Sequence, residues 1–207
     1  MEAAPTDRRR ERHVAKQSRI VGEAWKLARR DGLAAISLRD LAAQVDLRQP
    51  SLYAYFDSKL ALYDAMFADG NHQLLAMAAA LPERDTPSEA LIDLVRALIN
   101  FSTKDPVRYQ LLFQRPVPGF EPSPESYALA LAFYELASDR LKAAGAKTAD
   151  DLDLFTAIVS GLSHQQVAND PGGDRWVRLS RRAVEMYLAD LERRSQSTST
   201  RSRKAPR

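Results

Sequence analysis

From Arg48 to Lys59 the chain reads Arg-Gln-Pro-Ser-Leu-Tyr-Ala-Tyr-Phe-Asp-Ser-Lys, a run of side chains suited to one kind of recognition. The amide of Gln49 can pair with the edge of an adenine through two hydrogen bonds, and Ser51 can bond a base or a phosphate. Tyr53 and Tyr55 can offer their hydroxyls to phosphate while their rings pack on sugar, or can pack at a helix junction; residue type leaves both readings open. Arg48 and Lys59, with Ser37 and Arg39 shortly before them, add groups able to reach phosphate oxygens. Pro50 has no N–H to donate, which is harmless in the first turn of a helix.

Other chemistries find little support. The chain has no cysteine, which excludes disulfides, thiolate nucleophiles and Cys-based zinc or iron–sulfur sites. There is no glycine-rich phosphate loop and no nucleophile with a recognisable base, so an all-helical enzyme is a distant alternative. His72 and His164 stand far apart with no paired carboxylate, a poor metal set, and neither a metal nor a cofactor is expected.

Charge is divided along the chain. Residues 1–60 carry 12 Lys and Arg against 8 Asp and Glu, residues 61–193 carry 13 against 19, and residues 194–207 carry 5 against none. A basic module on an acidic body is what a polyanionic partner requires, although a solvated charged surface gives the same numbers. Hydrophobic residues make up 45%, a globular value, and no window reaches the about 20 apolar residues of a bilayer span. A soluble cytoplasmic protein is expected, with no membrane partner.

Positioning the Arg48–Lys59 residues falls to helices, because apolar residues recur at three and four and no alternating strand pattern appears. A first helix over about 7–31 turns Val14, Ile20, Ala24, Leu27 and Ala28 inward and is closed by Gly32. Ser37 caps a short second helix, and a turn through Asp46 leads to a third helix opened by Pro50. Two short helices and a tight turn, braced by a longer helix, form a helix-turn-helix. Within it Leu52 and Phe56 share a face and are assigned to the core.

A fourth helix runs from Ser58 to near Leu81. Further helices start at Thr86–Pro87, Asp105–Pro106, Ser123–Pro124 and Thr148, and a last one spans about 174–193. The expected fold is all-α with about nine helices. Residues 1–60 form the helix-turn-helix domain, in which 1–10 are a flexible basic arm; 61–193 form a second helical domain, and 194–207 a disordered basic tail.

The segment Gly32–Met66 resembles the N-terminal domain of the TetR family of bacterial transcriptional regulators. Gly32, Ser37, Leu41, Ala42, Leu52, Tyr53, Tyr55, Phe56 and Lys59 fall in the family's order and spacing. Two positions depart from it: Asp46 replaces the usual turn glycine and Arg48 the usual capping serine. The resemblance implies a homodimeric repressor that reads a palindromic operator in double-stranded DNA and is released by a small-molecule effector. It makes the second domain a ligand-binding and dimerisation domain, with helix four as the lever between the two. The implied effector is small and apolar or aromatic, held among Phe101, Tyr109, Phe113, Phe120, Phe133 and Tyr134. The implied dimer interface uses Leu154, Ile158, Gly161, Leu162 and Gln165 of one helix with Trp176, Leu179, Ala183, Met186 and Tyr187 of the next. An architectural DNA-binding protein of the same fold, without an inducer, is the alternative.

Overall fold

The computed structural model describes residues 5–203, with side chains for residues 8–197, and among these there is no strand. Nine α-helices follow in order: α1 (Pro5–Asp31), α2 (Leu38–Gln44), α3 (Gln49–Leu52), α4 (Lys59–Ala79), α5 (Pro87–Lys104), α6 (Pro106–Phe113), α7 (Pro124–Ala143), α8 (Ala149–Asn169) and α9 (Ser180–Arg203). No helix of the described residues is long and apolar enough to cross a membrane.

The chain divides into two compact units. The first comprises the chain up to Gln73 together with Val107–Ala130, the second Leu74–Pro106 and the chain from Leu131 onward. The unit holding α1–α3 therefore extends beyond residue 60, for an apolar reason: Leu62, Tyr63, Met66 and Phe67 of α4 are buried in one core with Ile20, Ala24, Leu41, Leu52 and Phe56. Leu111 and Val117 join that core, with Phe120 packed against it. Polar links add direction. Asp64 accepts from the Ser123 amide (2.7 Å) and from the hydroxyls of Ser123 and Ser126 (both 2.9 Å), fixing the start of α7 on α4. Asp69 accepts from the Trp25 indole at 2.8 Å and from Gln73 at 2.7 Å.

In the second unit α5, α8 and α9 pack around Leu91, Ile92, Val95, Ile99, Phe155, Val184 and Tyr187. Asp151 organises its polar side. Its carboxylate accepts from the backbone N–H groups of Lys147 (2.8 Å) and Thr148 (2.9 Å) and from Arg194 of α9 (2.6 Å), while the Thr148 hydroxyl accepts from the Asp151 amide. This is a capping box with an added ion pair. Tyr187 donates to the Asp151 carbonyl at 2.7 Å. Between α8 and α9 the buried side chain of Gln166 accepts from the amides of Trp176 (2.7 Å) and Val177 (3.2 Å) and donates to the carbonyls of Asp170 and Gly173. A Cβ at Gly173 would lie 2.3 Å from an Asp170 carboxylate oxygen, so a larger residue there requires the Asp170 side chain to move.

Four expectations need correction. Val14 is 53% exposed, because α1 enters the apolar core only from Ile20 onward. The arm expected over residues 1–10 is helical from Pro5, and its first four residues lie outside the described part. The last helix begins at Ser180, after a 3₁₀ turn at Val177–Leu179, because Gln166 bonds the backbone of residues 176 and 177 in a loop geometry. It then continues to Arg203, so the segment expected to be irregular is helical up to there, and residues 204–207 lie outside the described part.

The amide donors and Arg194 hold the Asp151 carboxyl well below the usual carboxylate range, against the opposing effect of burial. A carboxyl whose pKa is lowered by folding stabilises the fold at every pH above its unfolded value, near 4, and loses that contribution as pH falls through the folded value. Asp151→Asn should therefore lower stability by about 2–4 kcal/mol at pH 7, the sum of a weakened cap and lost charge-assisted bonds. Thermal melts from pH 7 to pH 2 should show that gap constant down to about pH 5 and shrinking below about pH 4.

Candidate nucleic-acid interface

α3 has only four residues, too few to be stable alone, so its neighbours hold it in place. Leu52, 1% exposed, and Phe56 are its anchors in the core, as their shared helical face predicts. α2 lies before it, capped by the Ser37 hydroxyl, which accepts from the Asp40 amide at 3.3 Å. The connecting turn is closed by the amides of Val45 and Leu47, both donating to the Ala42 carbonyl (3.2 and 2.9 Å). Asp46 takes the left-handed conformation that the turn demands, with φ of +58°. Arg19 of α1 reaches its carboxylate at 3.0 Å, a contact open to solvent on both sides and worth little. Leu47 then packs against the core, and Arg48, in extended geometry, opens α3 without a side-chain cap.

This construction leaves Arg48, Gln49, Pro50, Ser51 and Tyr53 exposed in one continuous stretch of chain, with Arg39 exposed on α2. It also separates the two tyrosines. Tyr53 is 46% exposed. Tyr55 is half-buried, its ring stacked on His13 with centroids 4.7 Å apart and planes 20° from parallel, and its carbonyl accepts from Gln17 at 3.1 Å. Lys59 is half-buried too: its ammonium donates to the Ala34 carbonyl at 3.0 Å and lies 5.7 Å from the centre of the Tyr63 ring. The hydroxyl of Ser37 is engaged in its cap. Ser37, Tyr55 and Lys59 thus have structural partners within the domain, whereas Arg39, Arg48, Gln49, Ser51 and Tyr53 face outward.

Sequence reading missed the part played by α1. Lys16 donates to the Val45 carbonyl at 2.7 Å, where α2 ends, while His13 and Gln17 hold the chain just past α3. The signal was present in the spacing, since His13 and Gln17 continue backward the row of Ile20, Ala24 and Leu27, but polar side chains in an apolar stripe are easily passed over.

The six aromatic residues assigned to an effector divide between the two units. Tyr109 is buried on α6 with Phe113, exposed, 5.5 Å from it; burial raises the Tyr109 pKa above the ordinary phenol value. Phe120 packs against Tyr63 at 6.0 Å and Phe67 at 6.2 Å, as part of the first unit's interior. In the second unit Phe101 and Phe133 are buried and Tyr134 is exposed. Among the residues assigned to a dimer interface, Leu154, Gly161 and Gln165 on α8 and Met186 on α9 are exposed. Ile158, Leu162, Trp176, Leu179 and Ala183 are half-buried. Tyr187 alone faces inward, tilted against Phe155 at 5.1 Å. Among the described residues no three His, Asp or Glu side chains converge as a metal site would need.

Residues 20–66 match the profile described as bacterial regulatory proteins, tetR family. The chain is 23% identical over 178 residues to the HTH-type transcriptional regulator Rv1816 of Mycobacterium tuberculosis, covering 82% of this chain and 76% of that protein. Among solved structures, the TetR family transcriptional regulator PfmR of Thermus thermophilus is similar with a TM-score of 0.62 at 22% identity, over 83% of this chain and 97% of that one. The fatty acid degradation regulator FadR of Bacillus halodurans is similar with a TM-score of 0.67 at 13% identity, over 91% and 97%. Such likenesses, at these identities, establish a shared fold.

The left-handed conformation of Asp46 costs a side-chain-bearing residue roughly 1–2 kcal/mol, least for Asp and Asn. Asp46→Gly removes that strain and only a weak surface ion pair, so its melting temperature should equal or exceed that of the parent. Asp46→Val should lower stability by about 1–3 kcal/mol through the same φ. A valine variant as stable as the parent would show that the turn does not need the left-handed geometry.

Proposed function

We propose that the chain, whose residues 20–66 match the tetR family profile, is a transcriptional regulator of that family, and specifically a homodimeric repressor released from a palindromic operator by a small apolar or aromatic effector. The observation that carries the DNA half is the outward set Arg48, Gln49, Ser51 and Tyr53 on a helix held from behind by Leu52 and Phe56. In this arrangement Gln49 and Ser51 read base edges in the major groove, while Arg39, Arg48 and Tyr53 contact phosphate and set the register. Ser37, Tyr55 and Lys59 act by holding the head in shape, with backbone contacts limited to what their own bonds leave free.

Dimerisation is supported by the composition of the outward side of α8 and α9. Leu154 on α8 and Met186 on α9 are large apolar side chains left in water by their own unit, and Gly161, exposed on α8, permits close approach of a partner helix. Two heads then meet half-sites one helical turn, about 34 Å, apart. Effector release is supported by the aromatic content of α5–α7 and by α4, one continuous helix whose residues up to Gln73 belong to the first unit and whose remainder belongs to the second. A ligand that prefers one arrangement of the heads would change operator affinity by a coupling of roughly 1–3 kcal/mol.

Gln49→Ala should alter which duplexes the protein selects from a random pool and cost about 1–3 kcal/mol on the parent's preferred site. Equal weakening on every sequence would remove Gln49 from base readout. Leu154→Arg combined with Met186→Glu should give a folded monomer in sedimentation and weaken binding to the full palindrome far more than to a single half-site. A variant that stays dimeric would place the interface elsewhere.

A further inference from the structure

Four charges on the outward side of α8 and of the lead into α9 have no counter-charge in their own chain. Asp150 and Asp153 on α8, Arg178 in the 3₁₀ turn and Arg182 on α9 are all exposed, and none of them forms an ion pair among the described residues. Their neighbours are paired: Asp151 binds Arg194 at 2.6 Å, and Arg181 binds Glu89 at 2.7 Å. Like charges three or four apart on a helix repel, so Asp150 with Asp153 and Arg178 with Arg182 each lack the compensation that the surrounding charges have.

Their places follow from how the two helices are joined. α8 and α9 run antiparallel, because Tyr187 donates to the Asp151 carbonyl at one end while Gln166 bonds the Trp176 and Val177 amides at the other. Met186, next to Tyr187, is therefore level with the start of α8, near Leu154, and both side chains are exposed. Small exposed residues surround this apolar patch, Ala157 and Gly161 on α8 and Ala189 on α9. The acids lie toward the start of α8, on one side of the patch. Arg182 and Arg178 lie on the other side, about one and two turns before Met186. About 24 Å of helix separate Asp150 from Gln166, which anchors the turn holding Arg178; that far exceeds the screening length of about 8 Å at physiological salt.

A patch that packs on its own copy is self-complementary about a two-fold axis, so that residue i meets j and j meets i. With the axis crossing the helix pair at Leu154 and Met186, the acidic side of one copy faces the arginine side of the other, in two places at once. With the axis along the helices, acids would face acids and arginines would face arginines, which like-charge repulsion penalises. We infer that Asp150 and Asp153 of one copy pair with Arg182 and Arg178 of a second copy, and that these pairs set the orientation and register of the dimer and reject chains that lack the pattern. This rests on the homodimer reading above and adds to it the charge code at the rim of the apolar patch. Charges at a rim select and orient a partner more than they tighten its binding, which the apolar centre supplies.

The test uses two full-length variants, one with Asp150→Lys and Asp153→Lys, the other with Arg178→Glu and Arg182→Glu, each followed by sedimentation and by native mass spectrometry. Alone, each variant should dimerise about tenfold or more weakly than the parent, because every rim pair has become a like-charge pair, and added salt should recover part of the loss. Mixed in equal amounts, the two should form a one-to-one heterodimer in preference to either homodimer, since both rim pairs are restored with their signs exchanged. Circular dichroism and melts matching the parent separate lost contacts from lost structure; where a double variant is unstable, Asp153→Lys and Arg182→Glu alone make the same comparison. Two variants as dimeric as the parent overturn the pairing, and so do two weakened variants that form no heterodimer on mixing. A monomeric parent overturns the homodimer reading and the pairing with it; a dimeric parent that Leu154→Arg with Met186→Glu dissociates, but that neither reversal affects, overturns the pairing alone.

Discussion

A helix of four residues such as α3 cannot persist on its own hydrogen bonds, and the burial of Leu52 and Phe56 is what holds it. Each fully buried side chain of this size contributes about 2–3 kcal/mol, and both enter a core built from α1, α2 and α4. Everything presented to the solvent in this region follows from that insertion. With Leu52 turned inward, the helix has one orientation, and Gln49, Ser51 and Tyr53 are left outside. The backbone before the helix is constrained in turn, because Leu47 must pack against the same core and Asp46 must take a positive φ to allow it.

Polar contacts then fix angles that apolar packing alone leaves loose. Lys16, His13 and Gln17 tie α1 to the chain on both sides of α3, and Lys59 ties the start of α4 to the Ala34 carbonyl. Asp64 and Asp69 bond α4 to the start of α7 and to Trp25 of α1. Any displacement of the first part of α4 would therefore strain bonds to three other elements of the same unit.

The second unit solves a different problem with similar means. Its apolar core is closed at one end by the Asp151 network and at the other by Gln166, whose amide is saturated by loop backbone. Both are buried polar groups with their partners in place, which gives uniqueness to a core otherwise made of interchangeable aliphatic residues. With those ends fixed, α8 and α9 have one register, and the same register leaves Leu154 and Met186 outside while Tyr187 is drawn in.

Sequence alone determined the local features. Helix starts at Thr86, Ser123 and Thr148, the Gly145 stop, the inward pair Leu52 and Phe56, and the match of residues 32–66 to the TetR pattern all depend on neighbours within a few positions, where backbone geometry and capping leave little choice. What tertiary structure decided were the matters of partnership across long separations: that Tyr55 stacks on His13 while Tyr53 stays outside, that Lys59 binds Ala34, and that Phe120 belongs to the head's interior. It also decided that Gln166 delays the last helix to Ser180. Helical periodicity says which face a side chain occupies, but not what stands opposite that face. That depends on how distant segments pack, and two tyrosines two residues apart can be told apart only there.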